Sequence, residues 1–97
     1  MTRKVGTYRT RNGNGIYKFG FKKVGSHYQV DVDATPSYGA RSSDGHSTHR
    51  LSSDTSATGT RICFGNDNAV DSLKKAQKFA QGWAESTQDY IEKGTRF

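Results

Sequence analysis

The stretch 16-IYKFGFKKVGSHYQVDVDA-34 decides the fold, because apolar and polar residues alternate in it on both sides of a short turn. A period of two is typical of strands that bury one face. Gly25-Ser26 between the two halves favours a type II′ hairpin turn, which takes glycine at its first central position. The register set by this turn pairs Phe21 with Val30 and places the large apolar residues of both strands on one face.

The opposite face of this hairpin is predicted to be polar. The same register gives three pairs there, namely Lys22–Gln29, Gly20–Asp31 and Lys18–Asp33. Upstream, residues 5–10 predict a third, weaker strand, joined to the hairpin by the turn-forming residues 12–15, NGNG. This connection puts Tyr8 on the aromatic face. The first 34 residues therefore predict a three-stranded antiparallel meander.

The C-terminal segment predicts the one clear helix, at about residues 68–93. We expect Asp67 or Asn68 as its N-cap and Gly94 as the residue that ends it. Small and apolar residues recur every three or four positions, which draws a single stripe along a helix: Val70, Leu73, Ala76, Ala80, Trp83, Ala84, Thr87 and Ile91.

Residues 35–48, TPSYGARSSDGHST, predict a long exposed loop, since they are rich in Ser and Gly and contain the single proline of the chain. Short strands are expected around residues 49–51 and 60–64. Two interpretations are open: the loop contacts a partner through Tyr38, Arg41 and His46, or it is a tolerated insertion with no role. Because its composition buries little apolar area, replacing residues 37–46 with a Gly-Ser linker should leave the melting temperature nearly unchanged.

Together these elements predict a single α+β domain over residues 1–97, with strands within 3–34 and 49–65. A mainly antiparallel four- or five-stranded sheet should carry the C-terminal helix across one face. The expected core combines sheet and helix residues: Tyr17, Phe19, Phe21, Tyr28, Val30, Val32, Ile62, Phe64, Leu73, Ala76, Ala80, Trp83 and Ala84.

Length and composition exclude several classes of protein. With 97 residues, 31% of them hydrophobic, and a mean hydropathy of −0.90, the chain has material for one modest core. No apolar run approaches the ~20 residues of a membrane span. The single cysteine, Cys63, excludes a disulfide scaffold and is typical of a protein in a reducing compartment. No apolar leader is visible, so we expect a soluble, cytoplasmic protein. Pairing with a second copy or a protein partner would supplement so small a core.

Charge points to a polyanion as partner. The formal net charge is +6, the isoelectric point is about 9.7, and the first 30 residues contain no acid. Basic side chains neutralise phosphates and release counterions, so the favoured function is a small non-catalytic module that binds nucleic acid. The alternative is a protein-interaction domain, either a homodimer or an inhibitor of a larger machine, with these charges forming a solvated face. The candidate nucleic-acid-binding residues lie on the meander, loop and helix: Arg9, Arg11, Lys18, Lys22, Lys23, Tyr38, Arg41, Arg50, Lys74, Lys75 and Lys78.

Two further sets of residues contain the side-chain types of a zinc site and of a nuclease active site. His46 and His49 form an H-x-x-H pair, but a zinc site needs three or four convergent ligands, and we expect no metal. Together with Tyr38, Arg41 and Arg50, these histidines supply the residue types of a small metal-independent nuclease, which is the minor alternative. No fixed catalytic spacing, phosphate-binding loop or nucleophile elbow is present. We therefore expect neither an enzyme nor a small-molecule cofactor.

The order of elements resembles a known class of DNA-binding module. Strands that end in G-T-R-I-C-F (59–64), a short polar cap and then K-K-A-Q-K-F-A (74–80) are similar to three-stranded-sheet-plus-helix modules, such as the arm-type DNA-binding domain of phage integrases. The likeness covers residues 15–34 and 59–84, departs from the family at the insertion 35–58, and lacks a recombinase catalytic domain. In that family the sheet lies in the major groove and the helix braces its back, which implies DNA as the partner.

Overall fold

A computed structural model describes residues 3–66 and 69–97 of the chain. It shows a five-stranded antiparallel sheet in the order β1-β2-β3-β5-β4 with a long helix packed on one face, which confirms the α+β prediction. Among the described residues, no helix is both long and apolar enough to cross a membrane. In chain order the elements are β1 (Lys4–Arg9), β2 (Ile16–Val24), β3 (His27–Ala34), α1 (Gly45–Thr48), β4 (Arg50–Ser52), β5 (Thr60–Ile62) and α2 (Leu73–Lys93).

The β2–β3 hairpin has the predicted register over most of its length. Phe21 pairs with Val30, and the turn glycine, Gly25, has a φ of +61°. Ser26 is not among the residues with positive φ, so the turn has the sign pattern of type II′. The predicted meander is also present, because β1 pairs with β2 along its whole length.

One predicted pair, Lys18 with Asp33, is wrong. A β-bulge between Lys18 and Phe19 shifts the register, and Lys18 pairs with Ala34 instead. The extra residue of β3 is Asp33, whose carboxylate accepts hydrogen bonds from Arg3 Nη1 at 2.8 Å and from the Ala57 backbone N–H at 3.1 Å. A bulge of this kind changes the direction of a side chain relative to the paired strands.

The outer face of the sheet, on the side away from α2, is partly covered by residues 53–58. The carboxylate of Asp31 is fully buried there. It accepts hydrogen bonds from the hydroxyls of Ser53 (2.7 Å) and Thr55 (2.6 Å). Lys22 Nζ donates to Thr55 Oγ1 at 3.2 Å. This face is therefore a mixture of acids, hydroxyls and lysines.

The core lies between the sheet and α2, as predicted. Trp83 is 6% exposed, and its ring meets those of Tyr17 and Phe19 edge-on, with centroids 6.0 Å away in both cases. Alanines on the helix stripe let α2 approach the sheet closely. Three predicted core residues, Tyr28, Phe64 and Leu73, are partly buried and pack at the margin of the core.

Helix α2 begins later than predicted and ends where predicted. Its N-cap is Ser72, whose hydroxyl accepts from the Lys75 N–H at 3.2 Å; the expected caps, Asp67 and Asn68, lie outside the described residues. Val70 precedes the helix but is buried, and its carbonyl accepts from the Tyr28 N–H at 2.8 Å. Gly94 ends α2 in the left-handed region with a φ of +74°, where glycine avoids the strain of a Cβ.

The segment 35–48 is more structured than the predicted exposed loop. Residues 45–48 form the helical turn α1, and Thr48 is fully buried. The Tyr38 ring packs on that of Tyr90 at 6.2 Å, and Tyr90 Oη donates to the Ser42 carbonyl at 2.7 Å. Composition could not predict this order, because backbone carbonyls bonded to α2 provide much of it. A Gly-Ser linker in place of residues 37–46 would remove these contacts with Tyr90, so the melting temperature is expected to fall and not to stay nearly unchanged.

Candidate functional site

The structure does not gather all the predicted nucleic-acid-binding residues on one surface. Lys18, Lys22 and Arg9 lie on the outer side of the sheet, and Lys23 lies at the tip of the β2–β3 hairpin. A second group occupies the first two turns of α2, namely Lys74, Lys75 and Lys78. Arg11 lies in the β1–β2 turn. A third group consists of Tyr38, Arg41 and Arg50.

Several of these side chains have local partners. Arg11 Nε lies 3.7 Å from the Glu85 carboxylate, which also accepts a hydrogen bond from the Arg11 backbone N–H at 3.0 Å. Lys75 forms an i,i+4 ion pair with Asp71 at 2.9 Å. Arg9 Nη1 donates to the Gly13 carbonyl at 3.4 Å. Such exposed contacts contribute little to stability, but they offset part of the positive field at these places.

A concave site forms where α1 and β4 meet the C-terminal end of α2. It has a volume of about 1100 Å³, and its lining contains no acidic residue among those that the structure describes. The carboxylate of Asp44 lies nearby, but its hydrogen bonds are directed to the Ser47 backbone N–H and the Ser42 hydroxyl. We call this site the cationic groove; its characteristic residues are Arg41, His46, His49, Arg50, Arg96 and Phe97.

The groove wall is positioned by α1 and by one buried hydrogen bond. Trp83 Nε1 donates to the Thr48 carbonyl at 3.0 Å, which fixes the end of α1 on α2. The next residue, His49, is the single non-glycine residue with positive φ in the described chain, at +53°. This left-handed turn directs the chain from α1 into β4. His49 Nε2 is in close contact with the Phe97 carbonyl oxygen.

Arg50 is held in a fixed orientation with part of its guanidinium still available. Its Nε donates to Thr48 Oγ1 at 2.9 Å, and its Nη2 donates to the Ser43 carbonyl at 2.6 Å. The guanidinium carbon lies 5.1 Å from the centre of the Tyr38 ring, in a cation–π contact. Two of five N–H donors are thus used. A pre-ordered planar fork of this kind binds carboxylate or phosphate oxygens with little loss of side-chain freedom.

Tyr38 supports Arg50 and is poorly suited to acid–base chemistry. Its hydroxyl is buried and has no hydrogen-bond partner in the described structure. Burial raises the pKa of Tyr38 above its ordinary value, although the charge of Arg50 opposes this shift. The phenol therefore keeps its proton at neutral pH and would not serve as a general base. Of the nuclease set, Arg41, His46, His49 and Arg50 line the groove.

Arg41 and Arg96 supply the other guanidinium groups. Arg41 Nε lies 3.4 Å from the Ile91 carbonyl in the last turn of α2, where the helix dipole favours a cation. A Cβ on Gly94 would lie 2.9 Å from Arg41 Nη1, so this glycine also leaves room for Arg41. Arg96 is exposed and has no hydrogen bond or ion pair within the described structure.

A smaller apolar cavity of about 410 Å³ opens beside the cationic groove. We call it the aromatic chamber; it is formed by Ile62, Phe64, Phe79, Gly82 and Trp83, with Lys78 at its rim. His49, Cys63 and Phe97 line both the groove and the chamber. The two cavities therefore form one continuous depression with a cationic half and an apolar half.

The contributors to this depression that were absent from the predicted interface include Phe79, Arg96 and Phe97. Phe79 lies off the apolar stripe of α2 and is 42% exposed, a departure that sequence periodicity could have flagged. Arg96 and Phe97 follow the helix-ending glycine and carry no periodic signal. No group of three His, Cys, Asp or Glu side chains placed to hold a metal ion is found among the described residues.

Comparison with protein-family models, curated proteins and solved structures found no match.

Proposed function

We propose that this protein is a small non-catalytic module that binds nucleic acid through the cationic groove. The observation that carries the proposal is the placement of three guanidinium groups, those of Arg41, Arg50 and Arg96, around one concave site of about 1100 Å³. Guanidinium groups form charge-assisted, often bidentate hydrogen bonds to phosphate oxygens. The described lining contains no Asp or Glu side chain, which favours a polyanion as the ligand.

This interface differs from the one that the resemblance to arm-type domains implies. A sheet lying in a DNA groove would have to present the face away from α2, where Lys18 and Lys22 lie. That face also carries the carboxylates of Asp31 and Asp33, and residues 53–58 fold across it. The groove offers denser and less neutralised positive charge. The lysines of the sheet then contribute to the long-range field that attracts a polyanion.

Removing two groove charges is expected to weaken binding far more than removing two charges elsewhere. We expect Arg41→Gln with Arg96→Gln to lower affinity for a labelled oligonucleotide by about 10-fold or more, because each phosphate contact adds to counterion release. The slope of log affinity against log salt should become shallower by about 1 to 2. Fluorescence anisotropy at salt concentrations from about 50 to 200 mM measures both quantities.

The matched control is Lys23→Gln with Lys74→Gln, which removes the same formal charge from two exposed side chains outside the groove. It should change affinity by less than about 3-fold, since neither side chain lines the groove and salt screens the charge of exposed groups outside the contact. Equal losses in the two double variants would show that only net charge matters and would contradict a groove-specific interface.

A protein-interaction domain is the second candidate, and one observation favours it. β1 is an outermost strand of the sheet, and its Val5 is 74% exposed. An open strand edge with an exposed apolar residue can pair with another chain, as a homodimer or an inhibitor would require. Apolar association changes little with salt, so the same titration separates the two functions. A wild-type protein that fails to bind the oligonucleotide at any of these salt concentrations would favour the second.

A further inference from the structure

We infer that the groove binds single-stranded nucleic acid and that one unstacked base occupies the aromatic chamber. This inference rests on the proposed function and adds the class of nucleic acid. A nucleotide joins an anionic phosphate to a flat aromatic base through one sugar. The depression matches that arrangement, because the cationic groove and the aromatic chamber share His49, Cys63 and Phe97 as a common wall.

The chamber presents aromatic surface to solvent. Phe79 lies at the margin of the buried stripe of α2, and its ring meets that of Phe64 at 5.1 Å in a T-shaped arrangement. It is 42% exposed, whereas Trp83, one helical turn later, is almost completely buried. Exposed aromatic rings beside basic groups are the usual platform for bases of single strands, because every base has a face that can stack.

Gly82 gives a second, independent indication that the chamber is kept open. Glycine is unfavourable in the interior of a helix, yet Gly82 lies in the middle of α2 and lines the chamber. A Cβ built on it would meet no atom within 4 Å, so packing against the rest of the protein does not require glycine here. A larger side chain at this position would extend into the chamber and occupy the space where a base would lie.

The same geometry disfavours a duplex as the ligand of the chamber. In a double helix the bases are paired and stacked, and aromatic side chains reach them only where the strands are open. A single strand can place its phosphates against Arg41, Arg50 and Arg96 while one base turns into the neighbouring cavity. Lys78, at the chamber rim, is then placed to contact the next phosphate.

The test compares an oligothymidylate of about eight nucleotides with a duplex of the same length, using the full chain. We expect the wild type to prefer the single strand. Phe79→Ala should weaken single-strand binding by about 5- to 100-fold, the range for losing one stacked base, and leave duplex affinity unchanged.

Gly82→Leu should also weaken single-strand binding, while its melting temperature stays at or above that of the wild type because leucine favours the helix. Gln81→Leu, on an exposed neighbouring position outside the chamber lining, is the control and should leave both affinities unchanged.

The outcomes separate this inference from the proposed function. One outcome is that Phe79→Ala and Gly82→Leu leave single-strand affinity unchanged while the arginine double variant loses binding. This result would overturn the proposal that a base occupies the aromatic chamber, and it would leave the cationic groove as the interface. Duplex binding as tight as single-strand binding would overturn the preference for a single strand. If an acidic peptide with aromatic side chains binds the protein and neither oligonucleotide binds it, both proposals are overturned.

Discussion

Trp83→Ala is expected to lower the free energy of unfolding by about 3–5 kcal/mol, the usual cost of removing a large aromatic residue from a core. The ring contacts both Tyr17 and Phe19 edge-on, and its Nε1–H satisfies the buried Thr48 carbonyl. Alanine would leave a cavity and an unpaired carbonyl together. A loss of this size approaches the whole stability of a domain of this length.

Urea denaturation followed by circular dichroism measures this loss. The control is Phe79→Ala on the same helix, which removes a ring that is 42% exposed and packs on Phe64 and should cost about 1–2 kcal/mol. Should Trp83→Ala melt within a few degrees of the wild type, the packing of α2 on the sheet and the positioning of the groove wall by Trp83 would both be wrong.

Replacing Asp31 with Ala is expected to lower the free energy of unfolding by about 1–3 kcal/mol at neutral pH, since it removes the buried acceptor that Gln29, Ser53 and Thr55 share. The carboxylate is fully buried. Burial alone would raise the pKa of Asp31, but hydrogen bonds from Thr55, Ser53 and Gln29 outweigh burial and hold the pKa below its ordinary value. The charge of Arg3, whose Nη1 lies 3.6 Å from the carboxylate, acts in the same direction.

The lowered pKa of Asp31 sets the pH dependence of this contribution. A carboxyl group that is more acidic in the folded state stabilises the protein fully above its unfolded pKa of about 3.9. This stabilisation is lost as pH falls through the folded pKa. The difference in unfolding free energy between wild type and Asp31→Ala should therefore be largest at neutral pH and shrink below about pH 4.

Denaturation curves from acid to neutral pH test this prediction. Asp89→Ala, which removes an exposed carboxylate whose partner Lys93 is 3.9 Å away, should change stability by less than about 1 kcal/mol. A difference between wild type and Asp31→Ala that stays constant across the acid range would contradict the assigned hydrogen bonding.

The β2–β3 hairpin could be predicted because its information is local. The alternation of side chains and the glycine at position 25 specify register and turn within 19 consecutive residues. The helix stripe around Trp83 is local in the same sense. The bulge at Asp33 has no such signal, since it depends on contacts with Arg3 and Ala57 from distant parts of the chain.

The site could be predicted only in part, because the fold assembles it from separated segments. Arg41 and Arg50 were identified by residue type, but the partner of Arg41 on α2, the Ile91 carbonyl, is 50 residues away in sequence. The order of residues 35–48 also comes from α2, through hydrogen bonds that Trp83 and Tyr90 donate to backbone carbonyls. Composition analysis counts side chains and does not register such bonds.

The most direct test of the cationic groove as the binding site is a backbone amide NMR titration with an oligothymidylate of about eight nucleotides. The largest chemical-shift changes are expected at residues 41–50 and 94–97, with smaller changes at the chamber residues 79–83. The outer face of the sheet, including Thr7, Lys18 and Lys22, should change little. Largest changes on that outer face, with residues 41–50 and 94–97 unaffected, would contradict the account and favour recognition by the sheet.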